Sequence, residues 1–266
     1  MRIDKSIRSL NRLFFTQTRV IWALLMREVI TRYGRNNIGF LWAFVEPLFF
    51  TFGIAALWAA TSSIHGSKLP VIPFVVTGYA TVLLWRNSTG RSLVAIESNR
   101  SLLYHRNVTL LDIFLARFIL EFLTTTFSFI VVELFMITLG FMEPPSSIFP
   151  MLQGWAILAI FSFGLSTTLG CLNSLSDIVD RFWHPISYFM MPLSGAFFLV
   201  DWLPSSVQSY AVFVPTVTAT ELMRSGQFGS SIRTHYDIQY FLFVSLAFVL
   251  IALLLTKVVR NRLECE

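Results

Sequence analysis

The run IQYFLFVSLAFVLIALLLTKVVRNR, residues 238–262, is apolar almost throughout until it meets Lys257, Arg260 and Arg262. About 20 predominantly apolar residues carry a helix across the hydrocarbon core of a bilayer, and Lys or Arg beside a span stays on the cytoplasmic side. The stretch therefore reads as a crossing helix whose carboxy-terminal end lies inside. Five more apolar stretches precede it, at 38–60, 70–85, within 110–139, at 151–172 and at 185–200, the last of them short for a full crossing. Residues 62–68 read as an outer turn, Glu143, Pro144 and Pro145 mark a second, and 173–184 is a polar inner loop.

The basic residues orient these segments. Of the 20 Lys and Arg, eight lie in the first 37 residues, five (Arg86, Arg91, Arg100, Arg106 and Arg117) follow the second stretch, Arg181 is in the inner loop, and three are in the tail. Only Lys68, Arg224 and Arg233 fall on the other side, a partition of 17 to 3. The expected fold is all-α: a six-span protein of the bacterial inner membrane with both termini in the cytoplasm. Its parts are a cytoplasmic amino-terminal segment at 1–37, a transmembrane domain at 38–258 and a tail at 259–266.

Composition agrees, since 55% of the 266 residues are hydrophobic and 13% charged, too little polar surface for a water-soluble domain. The net charge of +5 sits next to spans and not in a basic, aromatic-interleaved module, which points to lipid headgroups or an acidic substrate and away from nucleic acid. Cys171 and Cys265, the only cysteines, fall in a span and in the tail, so no disulfide framework is expected. No removable signal peptide is expected either, because residues 1–37 hold only the brief apolar run 20–26.

Residues 201–237 are too many for a turn and too apolar for a solvated loop. Pro215 divides them, and two short re-entrant helices dipping into the outer interface fit better than a seventh span, with a small extracellular cap as the alternative.

Little in the chain suggests catalysis. His65, His105, His184 and His235 fall in separate places without a zinc-binding pattern. Asp177 and Asp180 form a DxxD pair of the kind that holds Mg²⁺-diphosphate in membrane prenyl or glycosyl transferases, although carboxylates so placed also cap loops. No GxxxxGK[ST] loop is present, so ATP-driven work needs another subunit. Glu46, Glu121 and Glu133 lie within spans, where an acid costs a few kcal/mol and calls for a partner or a role. Glu46 precedes Pro47 and is read either as a path-facing acid or as paired with an inner Arg. Glu121 is expected to pair with Arg117 one turn earlier. Trp42, Phe44, Phe49, Phe50, Phe52 and Trp58 crowd one span, and flat rings of this kind suit a path along which sugar faces slide. Arg86, Arg91 and Arg100 either attract an acidic polymer at the inner mouth or only fix topology.

Three longer motifs resemble one family. GRNNIGFLWAFVEPL at 34–48 is similar to the start of the first span in permease subunits of type-2 ATP-binding-cassette exporters, the class that moves O-antigen, teichoic acid and capsule. NRSLLYHRNVTLLDIFLARF at 99–118 resembles their inner coupling segment, and PTVTATELMRSGQFG at 215–229 the outer segment before the last span of capsular polysaccharide permeases. The resemblance implies a homodimer joined to two ATP-binding subunits that bind the ATP and Mg, so that the permease itself carries no cofactor, metal or catalytic residue. It also implies passage of a lipid-linked polysaccharide outward, with periplasmic or outer-membrane export components as further partners. By the same resemblance an interfacial helix covers 19–35, and the coupling segment at 99–110 inserts Leu102, Leu103, Tyr104, His105, Arg106, Asn107 and Val108 into the ATPase. Pro215, Glu221, Arg224 and Gly226 then belong to an outer gate, while Glu46, Trp42, Phe49, Phe50, Trp58, Arg86, Arg91 and Arg100 are the substrate-path candidates. Glu221 and Arg224, at i and i+3, can also satisfy each other. A membrane-embedded transferase using Asp177 and Asp180, and an ion-coupled secondary transporter using Glu46 and Glu133, are the competing readings.

Overall fold

The computed structural model describes residues 2–33, 38–61, 69–103 and 108–263, and among them it is helical without a strand. The helices are α1 (Arg2–Tyr33), α2 (Ile38–Thr61), α3 (Val71–Leu93), α4 (Arg100–Leu103), α5 (Leu110–Thr138), α6 (Ile148–Leu175), α7 (Ile178–Leu193), α8 (Ser205–Ala211), α9 (Pro215–Phe228) and α10 (Ile238–Leu263). Short 3-10 turns lie at Glu97–Asn99, Val200–Trp202 and Gly229–Ser231.

The ends of α5 show how local chemistry sets these limits. Thr109 accepts from the Asp112 backbone N–H at 3.3 Å while the Thr109 N–H donates to the Asp112 carboxylate at 2.8 Å, a reciprocal capping box. At the other end Gly140 takes φ +75°, which lets Phe141 N–H reach Met136 C=O at 3.0 Å and Gly140 N–H reach Ile137 C=O at 3.0 Å.

At the centre is α6, which packs on α10, α3 and α9. Leu158, Phe161, Leu222 and Phe241 form the heart of that contact. A Cβ on Gly164 would stand 2.7 Å from the backbone nitrogen of Val249, so α6 and α10 meet as closely as a glycine permits. Thr81 and Thr220 share a hydrogen bond at 2.9 Å and fasten α3 to α9. Outward-facing side chains are apolar: Phe243, Leu246 and Leu250 on α10 and Phe182 and Phe189 on α7 are all exposed. That surface suits lipid and not water.

Three helices, α5, α6 and α10, are long and apolar enough to cross a membrane. The other expected spans differ in instructive ways. α2 matches the first stretch, but α3 continues to Leu93, so that Arg86 and Arg91 are helical and not part of an inner loop. The stretch at 185–200 does not form one helix: α7 starts seven residues earlier and stops at Leu193, before Gly195 at φ +81°. Asn173 explains the early start, because its side-chain oxygen accepts from the Asp180 N–H at 2.9 Å in the first turn of α7. The polar inner loop at 173–184 thereby shrinks to the break between α6 and α7. At 16 residues α7 is about 24 Å long, short of a hydrocarbon core of about 30 Å.

Candidate functional site

At the basic end of the bundle, α1, α2, α3 and α5 enclose a cleft of about 320 Å³. α1 is seated there by side chains that its polar sequence supplies. Arg32, in its last turn, donates to the Glu121 carboxylate on α5, and Tyr33 shares a hydrogen bond with Thr124 at 3.1 Å. Glu28 accepts from Arg117 Nε at 2.8 Å, and Arg27 donates to Asn99 Oδ1 at 2.8 Å. Asn99 is held in turn by its side-chain N–H, which donates to Ala95 C=O at 2.8 Å. One helix thus touches both the start of the 99–110 segment and the floor of the cleft.

The expected pairing of Glu121 with Arg117 does not form. Glu121 is 3% exposed and takes Arg32, with Arg91 Nε 3.6 Å from the same oxygen. Arg117 turns the other way, to Glu28 and to the Arg91 carbonyl at 2.7 Å. A buried carboxylate gains most from a cation that is desolvated with it, and α1 brings one across the interface.

Of the substrate-path candidates, the structure brings Trp42, Glu46 and Arg91 together on the walls of this cleft, beside Asn87, Thr124 and Ser128. Glu46 accepts from the Tyr79 hydroxyl at 3.3 Å. Phe50 points inward and stacks on Tyr79, centroids 3.8 Å apart and rings within 9° of parallel, which is core packing. Phe49 is exposed outside the cleft, and Trp58 is helical with a side chain outside the described set. Arg86 sits over the Tyr188 ring of α7 at 4.6 Å, and Arg100 is exposed at the start of α4; neither lines the cleft. Asn87 and Asn99, missed in the sequence, carry no periodic signal because single amides look like any polar residue near a span end.

In the 99–110 segment, Leu102, Leu103 and Val108 are half-buried against a cluster that includes Leu24, Leu25 and Ile96. Tyr104, His105, Arg106 and Asn107 lie outside the described residues. Asp177 stands at the start of α7 without a side-chain capping bond, and Asp180 faces His184 at 3.4 Å.

At the opposite end, Pro215 opens α9 and the rest of that helix is buried in the bundle. Glu221 and Arg224 do not close on each other as a surface pair. Glu221 accepts from Val200 N–H at 3.2 Å and His235 N–H at 3.0 Å, while Arg224 donates to the carbonyls of Gly195, Ala196 and Phe198 at 2.6–2.7 Å. Its guanidinium lies 3.6 Å over the Phe74 ring. Burial pushes the Glu221 carboxyl up and the Arg224 guanidinium down, and each opposes the other's shift by its own charge. Gly226 is packed so closely that a side chain there would run into Met151. Glu221 and Arg224 therefore fasten the loops around α9, with Gly226 buried beside them and Pro215 half-buried at the start of the helix.

Comparison with known proteins gives this geometry its context. The chain is 45% identical over 237 residues to the capsule polysaccharide export inner-membrane protein CtrC of Neisseria meningitidis serogroup B, covering 89% of each. It is 41% identical over 241 residues to the capsule polysaccharide export inner-membrane protein BexB of Haemophilus influenzae, covering 91% of each. Against the polysialic acid transport protein KpsM of Escherichia coli it is 26% identical over 254 residues, 92% of this chain and 95% of that one. Residues 19–228 match a family of membrane proteins running from the middle of α1 to the end of α9, and the chain accordingly belongs to the ABC-2 type transporter membrane family.

Proposed function

We propose that this protein is the permease subunit of an ATP-driven exporter that moves lipid-linked capsular polysaccharide from the cytoplasm across the inner membrane. The supporting observation is the relationship to capsule export proteins over nine-tenths of the chain in two genera, together with helices apolar enough to cross a membrane. Six helices, α2, α3, α5, α6, α7 and α10, cross in this reading, α1 lies along the inner interface, and both termini are cytoplasmic. Two copies form the path, since one bundle packed through its centre by α6 has little room for a private pore. Hydrolysis of ATP, with its Mg, belongs to two separate subunits that grip 102–108.

The mechanism follows from the contacts of α1. A motor that displaces the coupling segment pulls on Asn99, which holds Arg27; α1 carries the displacement to Arg32, and Arg32 holds Glu121 in the cleft. Trp42, Glu46 and Arg91 line that cleft, where an aromatic face, an acceptor and a cation suit the reducing-end sugar and phosphate region of a lipid-linked polymer. At the far end α9, held by Glu221 and Arg224, sets the outer limit of the path and serves as its gate frame.

Deletion of the gene in a capsulated host tests the function. Finished polymer should accumulate inside the cell while surface polymer disappears. Loss of polymer altogether would instead favour a transferase working through Asp177 and Asp180, and export that persists without ATP but follows the proton gradient would favour an ion-coupled carrier.

A further inference from the structure

The two short helices between α7 and α10 are unlike. α9 is buried in the bundle, whereas α8 has no buried residue. At seven residues α8 is about 10 Å long, far too short to cross a bilayer and able only to lie at its edge. Its outward side chains are sorted by kind. Val207 and Tyr210 on α8, and Phe213 in the turn that follows, recur every three residues and are 44%, 74% and 59% exposed. Ser205, also exposed, falls on the other side of the helix from Val207 and Tyr210. From residue 202 to residue 220 the sequence holds no Asp, Glu, Lys, Arg or His, so no charge of its own keeps this run in water.

Hydrogen bonds fix where α8 stands. Gln208 Nε2 donates to Leu203 C=O at 2.9 Å and the Thr218 hydroxyl to Val212 C=O at 3.2 Å, which ties the chain on both sides of Tyr210. Phe213 is joined to α10: the Tyr240 hydroxyl donates to Phe213 C=O at 3.0 Å, and the two rings meet edge to face with centroids 5.3 Å apart. Tyr240 is in the first turn of α10. Asp237, whose carboxylate accepts from the Tyr240 N–H at 3.0 Å, marks the water side of that turn. Exposed Phe243 and Leu250 follow Tyr240 on the same face of the helix and begin the surface that suits lipid. Phe213 and Tyr210 therefore continue that surface past the end of α10, at the level where hydrocarbon gives way to headgroups. Aromatic rings with a polar tip concentrate at this level.

We propose that α8 is an interfacial anchor: Val207, Tyr210 and Phe213 insert among phospholipids at the boundary of headgroups and acyl chains and fix the depth of the chain that enters α9. Of the two short helices expected to dip into the interface, α8 alone has the surface for it. The contact is apolar and does not depend on anionic headgroups. That the leaflet is the outer one rests on the exporter reading above; the contact with lipid does not.

The test uses the full chain in phosphatidylcholine nanodiscs, with Cys265→Ser so that an introduced cysteine is the accessible one, Cys171 being buried. Nitroxide labels are attached through Val207→Cys or Tyr210→Cys, with Phe243→Cys as the lipid reference and Ser205→Cys as the water reference. Spin relaxation then compares collision with oxygen, which concentrates in lipid, and with a nickel chelate, which stays in water. Labels at positions 207 and 210 are expected to favour oxygen as the label at 243 does, several-fold more than the label at 205, and to do so equally when phosphatidylglycerol is added. Tyr210→Ser together with Phe213→Ser should move the label at 207 several-fold toward nickel, whereas Tyr210→Trp should not; thermal unfolding of each variant separates this shift from loss of fold. The proposal is overturned if positions 205 and 210 meet nickel alike, or if the double serine variant leaves position 207 in lipid. It is overturned equally if the label at 210 is shielded from both reagents and broadened by a second label, which would place another copy of the chain over α8. Labelling of Cys265 from one side of the membrane reports on topology alone, so a wrong leaflet and a missing lipid contact are told apart.

Discussion

Replacing Arg32 with Ala removes the near cation from a carboxylate that is 3% exposed, and the consequence can be worked out from the contacts that remain. Leaving one member of a buried ion pair uncompensated costs about 3–5 kcal/mol. Two features lower that figure here. Arg32 is itself 19% exposed, and Arg91 stands 3.6 Å from the same oxygen, although it is 56% exposed and a pair so solvated is worth under about 1 kcal/mol. The expected loss is therefore about 2–3 kcal/mol, and at about 2–4 °C per kcal/mol it lowers the unfolding midpoint by about 4–12 °C. Glu121→Gln on the Arg32→Ala background removes the stranded charge. The double variant should then be more stable than the sum of the two single losses by about 2 kcal/mol, measured by thermal unfolding in detergent at fixed pH. Additivity within about 0.5 kcal/mol would show that the two side chains do not depend on each other and would remove the reason given for the seat of α1.

Arg224→Lys keeps the charge but not the fork that reaches three carbonyls or the flat face over Phe74, and should cost about 2–3 kcal/mol in thermal unfolding; a loss below about 0.5 kcal/mol would contradict the clamp. Gly164→Val puts a branched side chain where the Val249 backbone is 2.7 Å from an ideal Cβ, so its folded yield should collapse while Gly53→Val, with open space around it, folds normally. Arg27→Ala severs α1 from Asn99 and should leave the ATPase rate of the assembled transporter near that of the parent while polymer export falls several-fold; an unchanged export rate argues that α1 carries no motion. A membrane-impermeant maleimide should label Cys265 in inside-out vesicles and not in intact spheroplasts, with Cys171 protected in both because it is fully buried in α6.

The parts of this fold that were legible in the sequence are those where one kind of residue dominates a whole helix. α10 and α5 start where the apolar runs start, because lipid solvent asks only for a continuous apolar surface and satisfied backbone groups. The sequence pattern ends α3 too early because Arg86, Asn87 and Arg91 look like the beginning of a loop, yet they face the cleft and α7 and stay helical. α7 was displaced for the opposite reason: Pro185 looked like a helix start, whereas Asn173, seven residues before Asp180 in the chain, caps the helix from α6. The pairing of Glu121 failed on the same ground. Sequence spacing reports partners on one helix, and the better partner sat 89 residues away on α1. At the outer end, Pro215, Glu221, Arg224 and Gly226 were found by motif, but nothing in their spacing told that all three carbonyls taken by Arg224 would come from the turn after α7.

These differences between sequence pattern and structure share a physical cause that also bears on how such a protein works. In a bilayer the apolar faces of helices gain nothing from each other that lipid does not offer, so the contacts that fix one helix against another are close glycine approaches and polar pairs. Here they are unevenly placed. α6 is locked to α10 through Gly164, and α9 is tied through Glu221 and Arg224 to the loops on both sides of it. α1 is joined differently, by Arg27, Glu28 and Arg32 reaching to Asn99, Arg117 and Glu121. Ion pairs and single hydrogen bonds can exchange partners with less loss than interlocked backbones, and Arg91 already stands beside Glu121 as an alternative to Arg32. A force applied at the coupling segment would therefore be expected to shift α1 against α5 before it disturbs α6, α9 or α10. In the exporter reading proposed above, the cleft then changes shape at the end where α1 is seated while the end framed by α9 holds.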